Sequence, residues 1–205
     1  MKTVLALARH ELRLLVSLAM WVGRRRHGIG GGQAFGYAGG QGAMMFGFAF
    51  VCVIETVMMS VLLRNLPTVH GVVLILDVYT IVFVIGLHAA SVVRPHVLDS
   101  GSLRVRNAAH IDLRIPVTQI ASVRRELRIT HTRTDGELDI PVGSQTDVTL
   151  ELTEPITHFT FFGRRRDIRL VRFHADDAST LVQAIRQAVT QVQTAPSQPL
   201  PDPLG

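Results

Sequence analysis

Two long apolar runs, separated by the seven residues RNLPTVH, constrain this sequence more than any other feature. Residues 43–63 contain a single ionisable side chain, Glu55, and residues 71–93 contain two, Asp77 and His88. At about 1.5 Å per residue, each run reaches roughly 30 Å as a helix, which matches the hydrocarbon core of a bilayer. The sequence therefore predicts a transmembrane helical hairpin with spans at residues 43–63 and 71–93.

The distribution of basic residues predicts how the hairpin is oriented. Basic side chains accumulate on the cytoplasmic side of membrane proteins, and the loop between the runs offers only Arg64. Both termini are therefore predicted to be cytoplasmic, in a multi-pass protein of the cell membrane. The same distribution accounts for the net charge of +5, so no nucleic-acid partner is predicted. The residues that carry this prediction are Lys2, Arg9, Arg13, Arg24, Arg25, Arg26, Arg94, Arg104 and Arg106.

The cysteine and histidine content predicts no metal site and no cofactor. Cys52 is the only cysteine, so neither an intrachain disulfide nor a Cys-x-x-Cys zinc motif can form. His131, His158 and His174 lie on or near different predicted strands and have no ligand partner at short spacing. We expect these three histidines at the surface.

The first part of the chain has the pattern of an amphipathic helix, predicted for residues 1–22. Lys2, Arg9 and Arg13 share one narrow stripe of the helix, while leucines occupy most of the remaining surface. That layout is typical of a helix lying at the membrane interface. A third span is the alternative, but its uncharged part, residues 14–22, is too short to cross a bilayer.

A glycine-rich tract follows at residues 23–42. It holds nine of the seventeen glycines, so chain entropy opposes a fixed structure and a flexible linker is predicted. Its GIGGG spacing lacks the Gly-Lys-Ser/Thr of a phosphate-binding loop and does not follow a strand, which argues against nucleotide binding. Phe35 and Tyr37 in this tract are expected to anchor the chain at the membrane interface.

From Pro95 the apolar pattern changes to a period of two, which is typical of half-buried antiparallel strands. The alternation is clearest in SLRVRN, IDLRIP, DVTLELT, HFTFF and DIRLVRF. A helical pattern then follows, with Asp176 or Asp177 as its N-cap. Six or seven short strands and one helix predict a small barrel capped by a helix at residues 95–192. The proline-rich tail, residues 193–205, is predicted to be disordered.

Two segments of this region resemble bacterial PH-like domains found beside membrane spans. One is LDSGSLRVRNAAHIDLRIPVTQIASVRRE and the other is DIRLVRFHADDASTLVQAI, and the resemblance extends over roughly residues 96–190. Ala178 stands where such domains often have proline. The resemblance implies a PH-like barrel that contacts protein or lipid and carries no shared catalytic residues. The matching positions are Ile115, Pro116, Ile120, Val123, Asp176, Asp177, Leu181, Val182 and Ile185.

Glu55 and Asp77 are the strongest candidates for a functional role. An ionised carboxylate at the bilayer centre costs roughly 2.5–3.5 kcal/mol on insertion scales, so such residues usually face protein. In a tight hairpin the two residues lie at similar depth, where two carboxyl groups could share a proton. His70, Asp77 and His88 are spaced by seven and eleven residues, which places them on one helical face. Lipid rejects such a face, so an oligomer or a membrane-protein partner is expected to cover it.

These patterns favour an α+β membrane protein with a non-enzymatic role, as an anchored interaction protein or an accessory subunit. One alternative is a membrane-embedded enzyme with Glu55 and Asp77 as general acid and base acting on a lipid-soluble substrate. Another is a subunit of a transport complex. Arginine clusters are candidates for contact with anionic lipid headgroups: Arg24, Arg25, Arg26, Arg124, Arg125, Arg164, Arg165 and Arg166.

Overall fold

The computed structural model describes residues 12, 14–23, 30–108, 111–129, 134–159 and 165–194. Within these ranges the chain is α+β, with four helices and two four-stranded sheets. The helices are α1 (14–22), α2 (Gly42–Leu62), α3 (Pro67–Val93) and α4 (Ala178–Thr194). The strands are β1 (Gln33–Phe35), β2 (His96–Leu98), β3 (Ser102–Asn107), β4 (Ile111–Pro116), β5 (Ile120–Arg128), β6 (Glu137–Ile140), β7 (Thr146–Phe159) and β8 (Arg165–Phe173). Short 3-10 helices occupy Gly39–Gln41 and Val117–Gln119.

Helices α2 and α3 confirm the two predicted apolar helices, and we call the pair the helical hairpin. Both are long and apolar enough to cross a membrane, and large apolar side chains cover their exposed faces. Helix α3 begins at Pro67, earlier than the predicted residue 71, because proline suits the first helical turn, where its missing N–H is not needed. The connection is therefore only residues 63–66, and the hairpin is tight.

The strands β2 to β8 and α4, residues 96–194, follow the hairpin and form one unit, which we call the two-sheet unit; β1, from before the hairpin, completes its first sheet. Its strand orders are β1-β2-β3-β4 and β5-β7-β8-β6. Among the described strands no pairing joins the two sheets, so the predicted closed barrel is not confirmed. Strand β6 runs parallel to β8, whereas the other pairs are antiparallel. The period-two segments fall in β3, β4, β7 and β8 as predicted, as far as the described residues extend.

One main hydrophobic core holds the two-sheet unit together. Both sheets and α4 contribute side chains to it, and the fully buried ones include Leu103, Ile115, Leu150, Phe173, Leu181 and Ile185. The start of α4 settles which aspartate caps the helix, because the N–H of Thr180 donates to Oδ1 of Asp177 at 3.0 Å. Asp176 is left to make a different contact, described below.

The glycine-rich tract is not a flexible linker over residues 33–41. Strand β1 pairs with β2 in antiparallel register, from Gln33 opposite Leu98 to Phe35 opposite His96. The rest of this part of the tract is tied by side-chain hydrogen bonds to the two-sheet unit. The prediction of a flexible linker rested on the high glycine content. Composition contains no information on the tertiary hydrogen bonds that offset the chain entropy of glycine. Residues 24–29 of the tract lie outside the described residues.

Helix α1 packs against α3. Leu14 is buried against Ala90 and Ala108, while Trp21, near the other end of α1, contacts the ring of His88. Both ends of α1 therefore meet the same part of α3, which indicates that α1 crosses α3. The exposed side chains of the described part are apolar, among them Leu12, Leu15, Val16 and Val22. The basic stripe of the predicted amphipathic helix lies outside the described residues.

Candidate functional site

The two carboxyl groups of the helical hairpin, those of Glu55 and Asp77, share no hydrogen bond among the described contacts. Glu55 is exposed on α2, and within the described part of the chain it has neither a hydrogen bond nor an ion pair. Asp77 is half-buried on α3, and its Oδ2 is shielded from solvent without a described partner. Counted from the loop, Glu55 lies seven residues before Leu62 and Asp77 ten after Pro67, a depth difference of about 5 Å. The described contacts do not form the proton-sharing pair.

The histidines of the predicted polar face have different surroundings. His70 is half-buried near the start of α3, and its Nε2 has no hydrogen-bond partner among the described residues. His88 is buried, with only 8% of its surface exposed. Its ring lies edge-on to Phe46 at 5.2 Å and to Trp21 at 6.0 Å, measured between ring centroids. His88 therefore lies where α1, α2 and α3 meet.

The described arginines of the predicted headgroup clusters are engaged with neighbouring side chains. Arg124 binds Glu151 at 2.6 Å and Glu126 at 3.2 Å. Arg125 donates to the hydroxyl of Ser179, Arg165 lies 3.5 Å from Asp167 and Arg166 lies 3.6 Å from Asp135. These contacts are those of an ordinary solvated sheet surface and do not favour a role in lipid binding. Arg24, Arg25, Arg26 and Arg164 lie outside the described residues.

The best-built polar site is the junction between the helical hairpin and the two-sheet unit, formed around Tyr37. The sequence predicted Tyr37 as an anchor at the membrane interface, but its side chain is buried, with 1% of its surface exposed. The N–H of Ala108 donates to its hydroxyl at 2.8 Å, and its ring stacks on that of His96 with centroids 4.7 Å apart. Burial raises the pKa of Tyr37 to about 12, so the hydroxyl stays protonated. Phe35 is buried as well, in the main core.

Asp176 ties the two-sheet unit to the segment that leads into α2. The N–H of Gly39 donates to both carboxylate oxygens, at 3.0 and 3.2 Å, and the N–H of Asp176 donates to the carbonyl of Gly36 at 2.9 Å. A side chain at Gly36 would intrude, since an added Cβ would lie 2.7 Å from Oδ2 of Asp176. The glycines of the tract therefore permit a close approach of backbone to carboxylate.

His96 lies fully buried behind Tyr37, and its hydrogen bonds fix its tautomer. The N–H of Arg106 donates to Nδ1 at 3.1 Å, so Nδ1 is unprotonated. Nε2 must then carry the proton, which it donates to the carbonyl of His174 at 2.9 Å. Burial lowers the pKa of His96 to about 4, and the imidazole is neutral at pH 7.

His174 belongs to a second polar group at the junction and is not the exposed histidine predicted from sequence. Its Nδ1 lies 2.9 Å from Oδ2 of Asp147, and its Nε2 lies 3.9 Å from Oδ1 of Asp176. The carboxylate of Asp147 beside the imidazole raises the pKa of His174. Asp147 also accepts the N–H of Ala175 at 2.9 Å. One imidazole thus lies between two carboxylates, one of which holds Gly39.

A cleft of about 310 Å³ opens beside this junction. It is bounded by the end of α3, the start of α2 and Asp176, and its lining residues are Gly36, Tyr37, Ala38, Gly39, Gly42, His88, Ser91, Val92, Pro95 and Asp176. No cluster of metal-binding side chains occurs in the described part of the chain. In this cleft a buried polar residue of the hairpin, His88, and a charged residue of the two-sheet unit, Asp176, line the same space.

Sequence reasoning missed Tyr37, His96, Asp147 and the contact of Asp176 as parts of one site. They come from the glycine tract, β2, the start of β7 and the segment just before α4, so their spacing along the chain carries no signal. One signal was available: two consecutive aspartates precede α4, and a helix needs only one for its N-cap. Comparisons with known protein families, curated proteins and solved structures returned no match.

We expect Gly36→Ala to loosen the junction. The new Cβ displaces the carboxylate of Asp176, so the N–H of Gly39 loses its acceptor. Loss of such a hydrogen bond lowers the free energy of unfolding by about 1–2 kcal/mol. Hydrogen exchange at the Gly39 amide, measured by mass spectrometry on detergent-solubilised protein, should accelerate about tenfold or more.

Gly40→Ala is the matched control, because nothing lies within 4 Å of a Cβ added at Gly40. It changes the same residue type in the same segment, and exchange at Gly39 should stay at the wild-type rate. Equal exchange rates in Gly36→Ala and wild type would contradict the assigned contact.

The stability of the two-sheet unit should fall as the pH is lowered from 6.5 to 4. The folded-state pKa of His96 lies below the value of the unfolded chain, so the unfolded chain binds the extra proton in this window. A difference between 6.5 and about 4 corresponds to about 3 kcal/mol of unfolding free energy. The measurement is the thermal midpoint followed by circular dichroism across the pH series.

His96→Asn should flatten this acid dependence. His174→Asn should instead flatten the loss of stability above pH 6.5, because the pKa of His174 is raised and its favourable contact with Asp147 fades as the proton leaves. Carboxylates with a lowered pKa, such as Asp112, lose their contribution only at lower pH. An acid slope unchanged in His96→Asn would show that burial of His96 is not its cause.

Proposed function

We propose that this protein is a non-enzymatic, membrane-anchored interaction protein that acts as an accessory subunit of a membrane assembly. The observation that carries the proposal is the exposed carboxyl group of Glu55 on α2, a helix whose exposed surface is otherwise apolar. Hydrocarbon is a poor solvent for a carboxyl group, in either protonation state. A second protein surface that covers this carboxyl group and offers it a hydrogen bond avoids that contact with hydrocarbon.

Helix α3 supports the same proposal from the other side of the hairpin. Oδ2 of Asp77 and Nε2 of His70 are shielded but find no hydrogen-bond acceptor or donor among the described residues. Buried polar atoms are normally satisfied in native structures. The apolar region of the hairpin therefore contains polar atoms that the described residues leave without hydrogen-bond partners. Another copy of the chain or another membrane protein supplies these partners.

The enzyme alternative has less support. It requires Glu55 and Asp77 to work on one substrate as acid and base, but the two residues share no described hydrogen bond and differ in depth. Glu55 is also exposed at the surface of α2 and does not line a described cleft. A general acid needs a site that shields the substrate from competing reactions and holds it within reach.

The same proposal assigns the two-sheet unit to the cytoplasm as a divergent PH-like domain for protein contacts. Its seven strands β2 to β8 followed by one packed helix agree with the resemblance seen in the sequence. Two departures matter: β6 joins its sheet in parallel with β8, and β1 comes from before the hairpin. The excess of basic residues outside the hairpin supports the cytoplasmic location.

We expect Glu55→Gln to weaken assembly. Wild-type protein in nanodiscs should run as an oligomer, or carry a co-purifying membrane protein, in native mass spectrometry. Glutamine keeps the shape of the side chain but removes its charge and its ability to share a proton, so the assembled fraction should fall about tenfold, as for loss of a hydrogen bond to a charged group. Asp77→Asn should act in the same direction.

Val57→Ala is the control for this experiment. Val57 is exposed on α2 about 200° around the helix from Glu55, so it samples a different face. Assembly should be unchanged in this variant. A wild-type protein that is monomeric and free of any protein partner in nanodiscs would overturn the proposal.

The orientation can be tested by labelling single cysteines in a Cys52→Ser background. A membrane-impermeant maleimide added to intact cells should label Asn65→Cys, in the loop of the hairpin, and leave Gln187→Cys, on the exposed face of α4, unlabelled. Permeabilised cells should label both positions. The reverse pattern would place the two-sheet unit outside the cell and refute the cytoplasmic assignment.

A further inference from the structure

The cleft beside the junction has a position that sets it apart from the surface grooves of the two-sheet unit. Gly42, the first residue of α2, and Ser91 and Val92, in the last turn of α3, line one side of it. Asp176 of the two-sheet unit lines the other side. The cleft therefore opens where both apolar helices end, which is the depth of the lipid headgroups if the hairpin spans a bilayer.

The side chains of the cleft offer acceptors and no cationic group. Asp176 is its only charged lining residue, and neither lysine nor arginine lines it. The carboxylate accepts one shared N–H from Gly39, but two carboxylate oxygens have about four lone-pair positions. With 38% of its side chain exposed, Asp176 keeps acceptor capacity toward the cleft.

Two polar side chains of α3 add to this acceptor character. Ser91 donates its hydroxyl hydrogen to the carbonyl of Leu87 at 3.1 Å and also hydrogen-bonds the hydroxyl of Tyr37, which leaves one lone pair of its oxygen as an acceptor. The imidazole of His88 borders the cleft at Gly42, where an added Cβ would lie 3.6 Å from Cε1 and 3.9 Å from Nε2. Gly42 has no side chain, so the imidazole edge stays within reach of a ligand.

The end of α3 contributes a negative potential at the same place. The last four carbonyl groups of a helix lack intrahelical partners and carry a partial negative charge. The last turn of α3 itself contains no basic residue, and Arg94 follows directly as its C-cap, with one positive charge outside the lining of the cleft. The neighbouring group of Asp147, His174 and Asp176 is also negative overall, since two carboxylates face one imidazole even when the latter is protonated.

We propose that this cleft binds a primary ammonium group, supplied by the ethanolamine headgroup of a membrane lipid. A primary ammonium donates three hydrogen bonds, and the cleft presents the carboxylate of Asp176, the hydroxyl oxygen of Ser91 and the carbonyl end of α3. A choline headgroup has the same charge but no N–H to donate, so it satisfies these acceptors less well. The proposal does not depend on the assembly through Glu55.

Trp21 makes the binding measurable, because it is the only tryptophan in the chain and its ring lies 6.0 Å from that of His88. Protein is reconstituted into phosphatidylcholine nanodiscs that contain increasing fractions of phosphatidylethanolamine at constant pH. The emission of Trp21 should change with saturation as phosphatidylethanolamine is added. Asp176→Asn, which keeps an oxygen for Gly39 but loses the charge, should shift the midpoint at least about tenfold.

Asp177→Asn is the matched control, since it removes a neighbouring carboxylate that caps α4 and does not line the cleft. It should titrate like wild type. Gly42→Leu is a second variant, which fills the cleft from α2 without touching Asp176, and it should abolish the saturable change. This variant keeps the test decisive if Asp176→Asn loosens the junction.

Each further outcome has a defined meaning. A change in emission that is equal in wild type, Asp176→Asn and Gly42→Leu would show a general bilayer effect and overturn the proposal. Free ethanolamine, added to pure phosphatidylcholine nanodiscs, should need a far higher concentration than the lipid. Saturation by free ethanolamine at the same effective concentration would assign the site to a soluble amine instead of a lipid.

Discussion

The pairing of β1 with β2 is the constraint on which the rest of the structure depends. One strand comes immediately before the helical hairpin and the other immediately after it, and their register runs from Gln33–Leu98 to Phe35–His96. The hairpin is therefore an insertion between two neighbouring strands of one sheet. Because both ends of the insertion are held by backbone hydrogen bonds, α2 and α3 must enter and leave the apolar region side by side.

This arrangement explains why the junction is so dense in polar contacts. The backbone between β1 and α2 cannot use the hydrogen bonds of regular structure over its full length, and its N–H and carbonyl groups still require partners. Asp176 satisfies part of that requirement, since its carboxylate accepts the N–H of Gly39 and its own N–H donates to the carbonyl of Gly36. In return, the hydroxyl of Tyr37 accepts the N–H of Ala108 in the two-sheet unit. The glycines matter here for the space they leave, since two of them lie against the Asp176 carboxylate.

Much of the architecture could be predicted from the sequence, because local periodicity reports it directly. The apolar runs predicted α2 and α3, and the period-two segments predicted β3, β4, β7 and β8. The glycine tract was misjudged, since composition measures the entropy of the free chain and not the tertiary hydrogen bonds that oppose it. The short strands β1 and β2 have too few residues for a periodic signal, and the barrel depended on long-range pairing that the sequence does not encode locally.

Some residues of the candidate site could likewise be predicted from the sequence, and others could not. Glu55, His70, Asp77 and His88 were evident from sequence because ionisable residues are rare in an apolar run. The residues around Tyr37 were not evident, since four distant segments build that site. The sequence around a polar residue does not show whether its side chain will be exposed or buried. Arg124 is largely exposed to solvent, whereas His96 is buried in a hydrogen-bonded network.

The insertion of the hairpin into a sheet also orders events during synthesis. Strand β1 leaves the ribosome before α2 and α3, but its partner β2 follows both helices. Sheet β1-β2-β3-β4 therefore cannot be completed until the whole hairpin has been made and its ends brought together. Strands β5, β7 and β8 need no such closure. Closure of the hairpin thus precedes completion of this sheet, and until the hairpin closes, β1 and β2 each keep an unpaired edge.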